Sequence, residues 1–186
     1  MRFFIALEVP EENRQEINLI QERLKQLIPE VRLTDYHKLH LTLAFIGDHD
    51  QSLKADLVEI INLAALDIPP FVVTPAYMDA FPKLHDPHTF WLGVKGDVDK
   101  LFLLEERLKD QLLKIKLEVD NRRYIPHIAI GKIPSYEIDE TLEAQLEDIV
   151  INSRLSPISI AAIKLFESIP SGDFHEHNTL AEIQLS

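Results

Sequence analysis

An α+β fold with antiparallel pairing is what this chain predicts, and three observations carry the prediction. Segments with apolar residues at every second position alternate with segments whose apolar residues recur at helical spacing. The second half of the chain repeats the order of the first. No linker or low-complexity stretch divides the 186 residues, so residues 1–186 read as one compact domain of two lobes sharing a core.

Arg2 to Leu7 is a β-like apolar run, and Pro10, Glu11 and Glu12 after it suit the first turn of a helix. That helix carries Ile17, Ile20, Leu24, Leu27 and Ile28 on one face and stops at Pro29, which a helix does not extend through easily. Strands are expected at Val31 to Leu33 and Leu39 to Ile46, the second ended by Gly47. Leu53, Leu57, Ile60, Ile61 and Ala64 mark another helix, closed off by Pro69 and Pro70. The second half then gives strands at Phe71 to Tyr77 and Thr89 to Val94. A helix from Asp97 follows, with Val98, Leu101, Leu104, Leu108 and Leu112 inward, and then a strand at Ile125 to Gly131. Glu137 to Val150 reads as a short acidic helix, Ile158 to Glu167 as a strand and Thr179 to Leu185 as the last strand. Gly and Pro punctuate Ser168 to Phe174, which reads as a mobile loop.

Composition narrows the function. The chain is 46% apolar and 27% charged, the balance of a globular protein and not of a disordered one. It has no cysteine, which excludes disulfides and thiolate zinc sites and fits a reducing cytoplasm. The opening residues turn acidic too soon for a signal peptide, and no stretch suits a membrane span, so a cytoplasmic protein is expected. A net charge of −12 argues against a long nucleic-acid groove, because Lys and Arg supply most of the affinity for phosphate backbones. A small pocket for one phosphate remains open, since a few local cations outweigh distant, screened carboxylates. The chain lacks the Gly-rich loop of nucleotide-triphosphate enzymes.

Two histidines stand out. His40 opens His-Leu-Thr-Leu-Ala-Phe-Ile-Gly and His127 opens His-Ile-Ala-Ile-Gly-Lys, one in each half. Side chains alternate across a strand, so His40 shares a face with Thr42 and His127 shares one with Ala129, while the aliphatics between them point to the core. A single strand histidine is ordinarily a packing residue; two in matching settings point to paired chemistry. In-line hydrolysis of a phosphodiester needs one group to take a proton from water and another to protonate the leaving oxygen. Imidazole, with an ordinary pKa of about 6.5, does both near neutral pH, and each such group is worth about 10² to 10⁴ in rate. A Thr hydroxyl two residues on is placed to hold a phosphoryl oxygen. His85-Asp86-Pro87-His88 and His175-Glu176-His177 have short metal-ligand spacings but fall in expected loops, and no metal site is assigned.

The sequence resembles the 2H phosphoesterases, and within them the RNA 2',3'-cyclic phosphodiesterases, also called 2'-5' RNA ligases. The resemblance rests on Arg2 to Leu7, Leu39 to Gly47, Trp91-Leu92-Gly93-Val94 and Asn121 to Ile130. It implies a bilobal fold of two pseudo-symmetric α+β halves, with the histidine motifs facing each other across a cleft and no metal or other cofactor needed. It implies His40 and His127 as the catalytic pair and Thr42 as the phosphate-holding hydroxyl. Arg122 is implied as a phosphate ligand, since guanidinium binds phosphate in a bidentate way. Tyr124 and Lys132 are implied on the nucleotide side, although core packing of Tyr124 and a surface place for Lys132 stay open.

One departure is evident: Ala129 stands where the family pattern has Thr or Ser, so one phosphoryl contact is missing. The implied activity is metal-independent hydrolysis of a terminal 2',3'-cyclic phosphate on RNA or a nucleotide to a 2'-phosphomonoester, with 2'-5' ligation as its reverse. The implied partner is an RNA end or nucleotide bearing that group, acted on by a monomer. Ala129 keeps two alternatives open: a nucleotide- or RNA-end-binding module with weak catalysis, or an enzyme for another small cyclic phosphodiester such as ADP-ribose 1'',2''-cyclic phosphate.

Overall fold

A computed structural model describes residues 1–186. The elements run β1 (Arg2–Glu8), α1 (Glu11–Leu27), β2 (Arg32–Leu33), a short 3-10 turn (Tyr36–Lys38), β3 (His40–Asp48), α2 (Leu53–Ala65), β4 (Phe71–Lys83) and β5 (Asp86–Gly96). They continue with α3 (Val98–Lys114), β6 (His127–Lys132), α4 (Glu140–Ile151), β7 (Ile158–Ile160), β8 (Ala162–Ser171) and β9 (Phe174–Gln184). No helix is long and apolar enough to cross a membrane.

The nine strands form one sheet in the order β7-β4-β5-β6-β3-β1-β8-β9, with β2 beside β6. Every pairing is antiparallel. Sequence periodicity expects one strand over Ile158 to Glu167, and the structure divides it. Ile158–Ile160 pairs with β4, and Ala162 onward lies against β9 and then β1. Ala161 alone joins two strands that stand six places apart in the sheet, so the sheet has to curl back on itself. This curl turns a row of strands into a cleft.

The two halves meet at a narrow seam. Strands β3 and β6 pair at one position, Leu41 opposite Ile128, both fully buried among the 42 residues of the apolar core. Next to the seam the turn Tyr36–Lys38 separates β2 from β3, so the Thr34 carbonyl has no ladder partner and the Ile130 carbonyl has only the Thr34 N–H at 3.0 Å. Gln21, a buried polar side chain of α1, answers them with Nε2 hydrogen bonds to the Thr34 and Ile130 carbonyls, both 2.9 Å. The strand leading into His40 is thereby tied to the strand that carries His127.

Elsewhere the boundaries move for local reasons. Strands β4 and β5 run further than the alternation predicts, because pairing continues down to Lys83 opposite Asp86 and makes one long hairpin. Helix α4 starts at Glu140 because Asp139 caps it, its carboxylate accepting from the Leu142 N–H at 2.8 Å. The expected loop at Ser168 to Phe174 is instead the end of the β8–β9 hairpin, turned at Gly172 with φ +62°, a conformation that suits glycine. Its tip is fastened down. Arg32 donates to the Asp173 carbonyl at 2.8 Å with its guanidinium 4.6 Å over the Phe174 ring, and the Lys38 ammonium donates to the His175 carbonyl.

Candidate active site

Strand alternation sends Leu41 and Ile128 into the core and leaves His40, Thr42, His127 and Ala129 on the opposite face. Both histidines are half-buried and both are held the same way. Nδ1 of His40 lies 2.6 Å from the Lys38 carbonyl and Nδ1 of His127 lies 2.7 Å from the Ile125 carbonyl, two residues back in each case. A carbonyl only accepts, so each Nδ1 carries the hydrogen and each Nε2 is left to gain or lose a proton. For His40, Nε2 sits 3.0 Å from the Thr42 hydroxyl, which donates to it when the ring is neutral. For His127 the matching position is Ala129, whose methyl group can donate nothing.

Aromatic rings fix both imidazoles. Phe4 lies 5.3 Å from His40 and His177 5.5 Å away at a steep angle, while Phe4 itself stacks on Phe166. On the other side Phe81 meets His127 edge-on at 5.0 Å and Trp91 lies at 5.6 Å. Burial pulls the pKa of His40 below its ordinary value, against the Lys38 carbonyl that favours the cation, and a charge on His127 lowers it again. Burial lowers His127 too, against its own carbonyl partner. Repulsion between the two charges disfavours protonating both imidazoles at once, so a protonated ring is left with a neutral partner, the combination an acid–base pair uses.

The residues expected to bind phosphate or nucleotide are placed unevenly. Arg122 is 89% exposed, and its guanidinium lies against the Asp120 carboxylate at 2.7 Å, not among the groups that touch the two imidazoles. Asp120 is held down to about 2, chiefly by hydrogen bonds from Arg122. Tyr124 donates its hydroxyl to the Thr42 carbonyl at 2.9 Å and rests its ring edge-on against Phe102 of α3. That ring belongs to the packing behind the site, and burial raises its pKa. Lys132 ends β6 in solvent, opposite Arg32 and Thr89.

Sequence reasoning misses Phe4, Phe81, Trp91 and His177 as neighbours of the two imidazoles. Along the chain His177 stands out only for its spacing to His175. Burial first, then charge on His40, Lys38 and His175, lowers it to about 4 against the pull of Asp35, so it stands neutral beside His40. The other short histidine cluster is engaged elsewhere: His85 contacts the Ile138 carbonyl and lies 3.6 Å from Glu143.

Residues 9–165 match the family model described as the 2'-5' RNA ligase superfamily. The chain belongs to that superfamily. Within the superfamily it is similar to the RNA 2',3'-cyclic phosphodiesterase of Methanocaldococcus jannaschii, 29% identical over 180 residues, covering 95% of this chain and 97% of the relative. The enzyme of the same name from Thermotoga maritima is also 29% identical over 180 residues, covering 95% of this chain and 92% of its own. In fold the chain superposes on TT0787 of Thermus thermophilus with a TM-score of 0.81 at 18% identity, covering 100% of this chain and 98% of that one. Escherichia coli LigT complexed with 3'-AMP gives 0.75 at 22% identity, again covering 100% and 98%. The bilobal α+β fold expected from the resemblance is the one observed.

Proposed function

We propose that this protein hydrolyses a terminal 2',3'-cyclic phosphate on RNA or on a nucleotide, leaving a 2'-phosphomonoester. The observation that carries the reading is the matched pair of imidazoles on one face of the seam, each with Nδ1 held by a carbonyl, which leaves Nε2 of His127 free and Nε2 of His40 against the Thr42 hydroxyl. One Nε2 takes a proton from water as its oxygen bonds to phosphorus; the other gives a proton to the 3'-oxygen as the P–O3' bond breaks. The 2'-oxygen stays on phosphorus, and the site ends with the same number of protons as it began. Thr42 holds a non-bridging oxygen once the phosphate displaces its hydrogen bond to His40. The two histidines supply both proton transfers. With a 5'-hydroxyl in place of water, the same groups join a cyclic end to it in a 2'-5' linkage: the hydroxyl oxygen bonds to phosphorus as the P–O3' bond breaks, and the reverse of that step cleaves the linkage. We place this activity in the cytoplasm, in keeping with the absence of cysteine.

The test is product analysis in H₂¹⁸O with chelator present. One ¹⁸O atom in a 2'-phosphomonoester supports the reading, while a 3'-phosphomonoester reverses the leaving group and overturns it. Ala129 favours one second reading, an RNA-end binder with little turnover, which predicts 2'-nucleotide binding with hydrolysis at background.

A further inference from the structure

Resting on the proposed hydrolysis, we infer that one row of the β8–β9 hairpin, His177 and His175 with Lys38 and Arg32 beside them, is a subsite for the 5'-phosphate of the nucleotide whose cyclic phosphate the histidines open. In a chain of net charge −12 an anion site has to be made locally, by cations gathered away from carboxylates. Strand alternation puts His175 and His177 on one face of β9 and sends Glu176 to the other. Lys38, two residues before His40, reaches across to the His175 carbonyl with its ammonium group. Arg32 meets the same hairpin tip at the Asp173 carbonyl.

Elsewhere Arg2, Arg14, Lys109, Arg122 and Lys164 each lie within ion-pair distance of an Asp or Glu. Arg32 and Lys38 bond instead to main-chain carbonyls, which are neutral and leave both cationic charges uncompensated. The two imidazoles keep donors in reserve. His175 sets Nδ1 against the Ser168 hydroxyl at 3.1 Å, which leaves its Nε2 open. His177 is half-buried and meets its neighbours by ring contact, 4.8 Å from Phe4 and 5.5 Å from His40, so its nitrogens are left for a ligand. Charge on His40, Lys38 and His175 bears on His177, opposed by Asp35, whose carboxylate already accepts the His37 N–H at 2.8 Å. The field at this ring therefore favours an anion. The spacing suits one nucleotide: His177 adjoins His40, and His175 stands about 7 Å further along β9, two residues of a strand. A ribose is all that separates a nucleotide's cyclic phosphate from its 5'-phosphate, so a second phosphate site has to lie beside the first, as this row does.

The experiment compares adenosine 2',3'-cyclic phosphate with its 5'-phosphorylated form and with adenylyl-adenosine 2',3'-cyclic phosphate, which carries the same 5'-phosphorus as a chain diester. Base and reacting group are the same in all three. The parent protein is expected to favour both phosphate-bearing compounds in kcat/KM by about tenfold, the scale of one charge-assisted contact, and added salt is expected to erode that preference with a log–log slope of about −0.7. A gain for the dinucleotide alone would come from its extra nucleoside and overturns the subsite. In Arg32→Gln, Lys38→Gln and His175→Gln the preference is expected to fall toward one. Loosening the hairpin lowers all three substrates together and leaves the ratio, so a ratio within twofold of the parent's in every variant overturns the subsite, as does a parent ratio near one. Should the parent hydrolyse none of the three, the proposed hydrolysis fails on its own. The subsite is then judged by calorimetric binding of adenosine 2',5'-bisphosphate against 2'-AMP in the same proteins, with the same tenfold ratio and the same loss expected; equal affinities overturn it.

Discussion

Leu41 faces Ile128 at the one register position that β3 and β6 share, and a histidine immediately precedes each of them. Burying this aliphatic pair sets the separation of the two imidazoles on the other face, because side chains one residue apart on a strand point oppositely. Packing and chemistry are thus coupled through two adjacent residues on each strand. Leu41→Ala is expected to cost about 2 to 5 kcal/mol, the range for deleting a buried leucine, and to lower kcat as the seam loosens. Urea unfolding together with steady-state rates checks both effects; a destabilised variant with parental kcat would separate the seam from the chemistry.

Ala129 occupies, relative to His127, the place that Thr42 occupies relative to His40. Restoring a hydroxyl there with Ala129→Thr is expected to raise kcat for cyclic-phosphate hydrolysis by about tenfold or more, since one oxyanion-type donor is worth roughly 10² to 10³ when removed. Ala129 is half-buried on the face of the strand that it shares with His127. An unchanged kcat would mean that another group already holds that phosphoryl oxygen.

The pH response has a definite sign. Burial lowers the pKa of His40, His127 and His177 in the folded protein, the last to about 4, so the unfolded chain binds more protons than the native one below the ordinary histidine value. Stability from these groups is fully present above pH ~6.5 and is lost as the pH falls from there toward 4. The urea midpoint should therefore drop between pH 7 and pH 5, and His177→Asn should flatten that drop. Loss from Asp120, held near 2, belongs to a separate window below about pH 4. Catalysis needs one neutral and one protonated imidazole, so kcat/KM is expected to peak on the acid side of about pH 6.5. An optimum at pH 8 or above would contradict the lowered pKa values.

Most of the fold was legible in the sequence because it is written in local periodicity: the helices carry their apolar stripes, and His40 and His127 open strands whose alternation is plain. What local pattern does not carry is the curl of the sheet. The break at Ala161 follows from the far edges of the sheet coming together; the apolar alternation changes phase there, from Ile158 and Ile160 to Ile163 and Leu165, but a one-residue slip between two alanines reads as easily as a bulge within one strand. His177 joins His40 only because the β8–β9 hairpin folds over, held by Arg32 and Lys38, and no spacing along the chain encodes that meeting. Arg122 and Arg123 are indistinguishable in a list of residues, and the Asp120 carboxylate two positions before Arg122 is what separates them. Tyr124 illustrates the converse: an aromatic residue beside a motif is as readily a packing residue, and its hydroxyl on the Thr42 carbonyl places it behind the site.

The most direct test of a two-histidine hydrolase is turnover of an oligoribonucleotide ending in 2',3'-cyclic phosphate, with chelator present, by the parent protein and by His40→Ala and His127→Ala. The account predicts turnover by the parent and a fall of about 10² to 10⁴ in kcat in each variant, with folding preserved by circular dichroism. Either variant retaining most of the parental rate would contradict it.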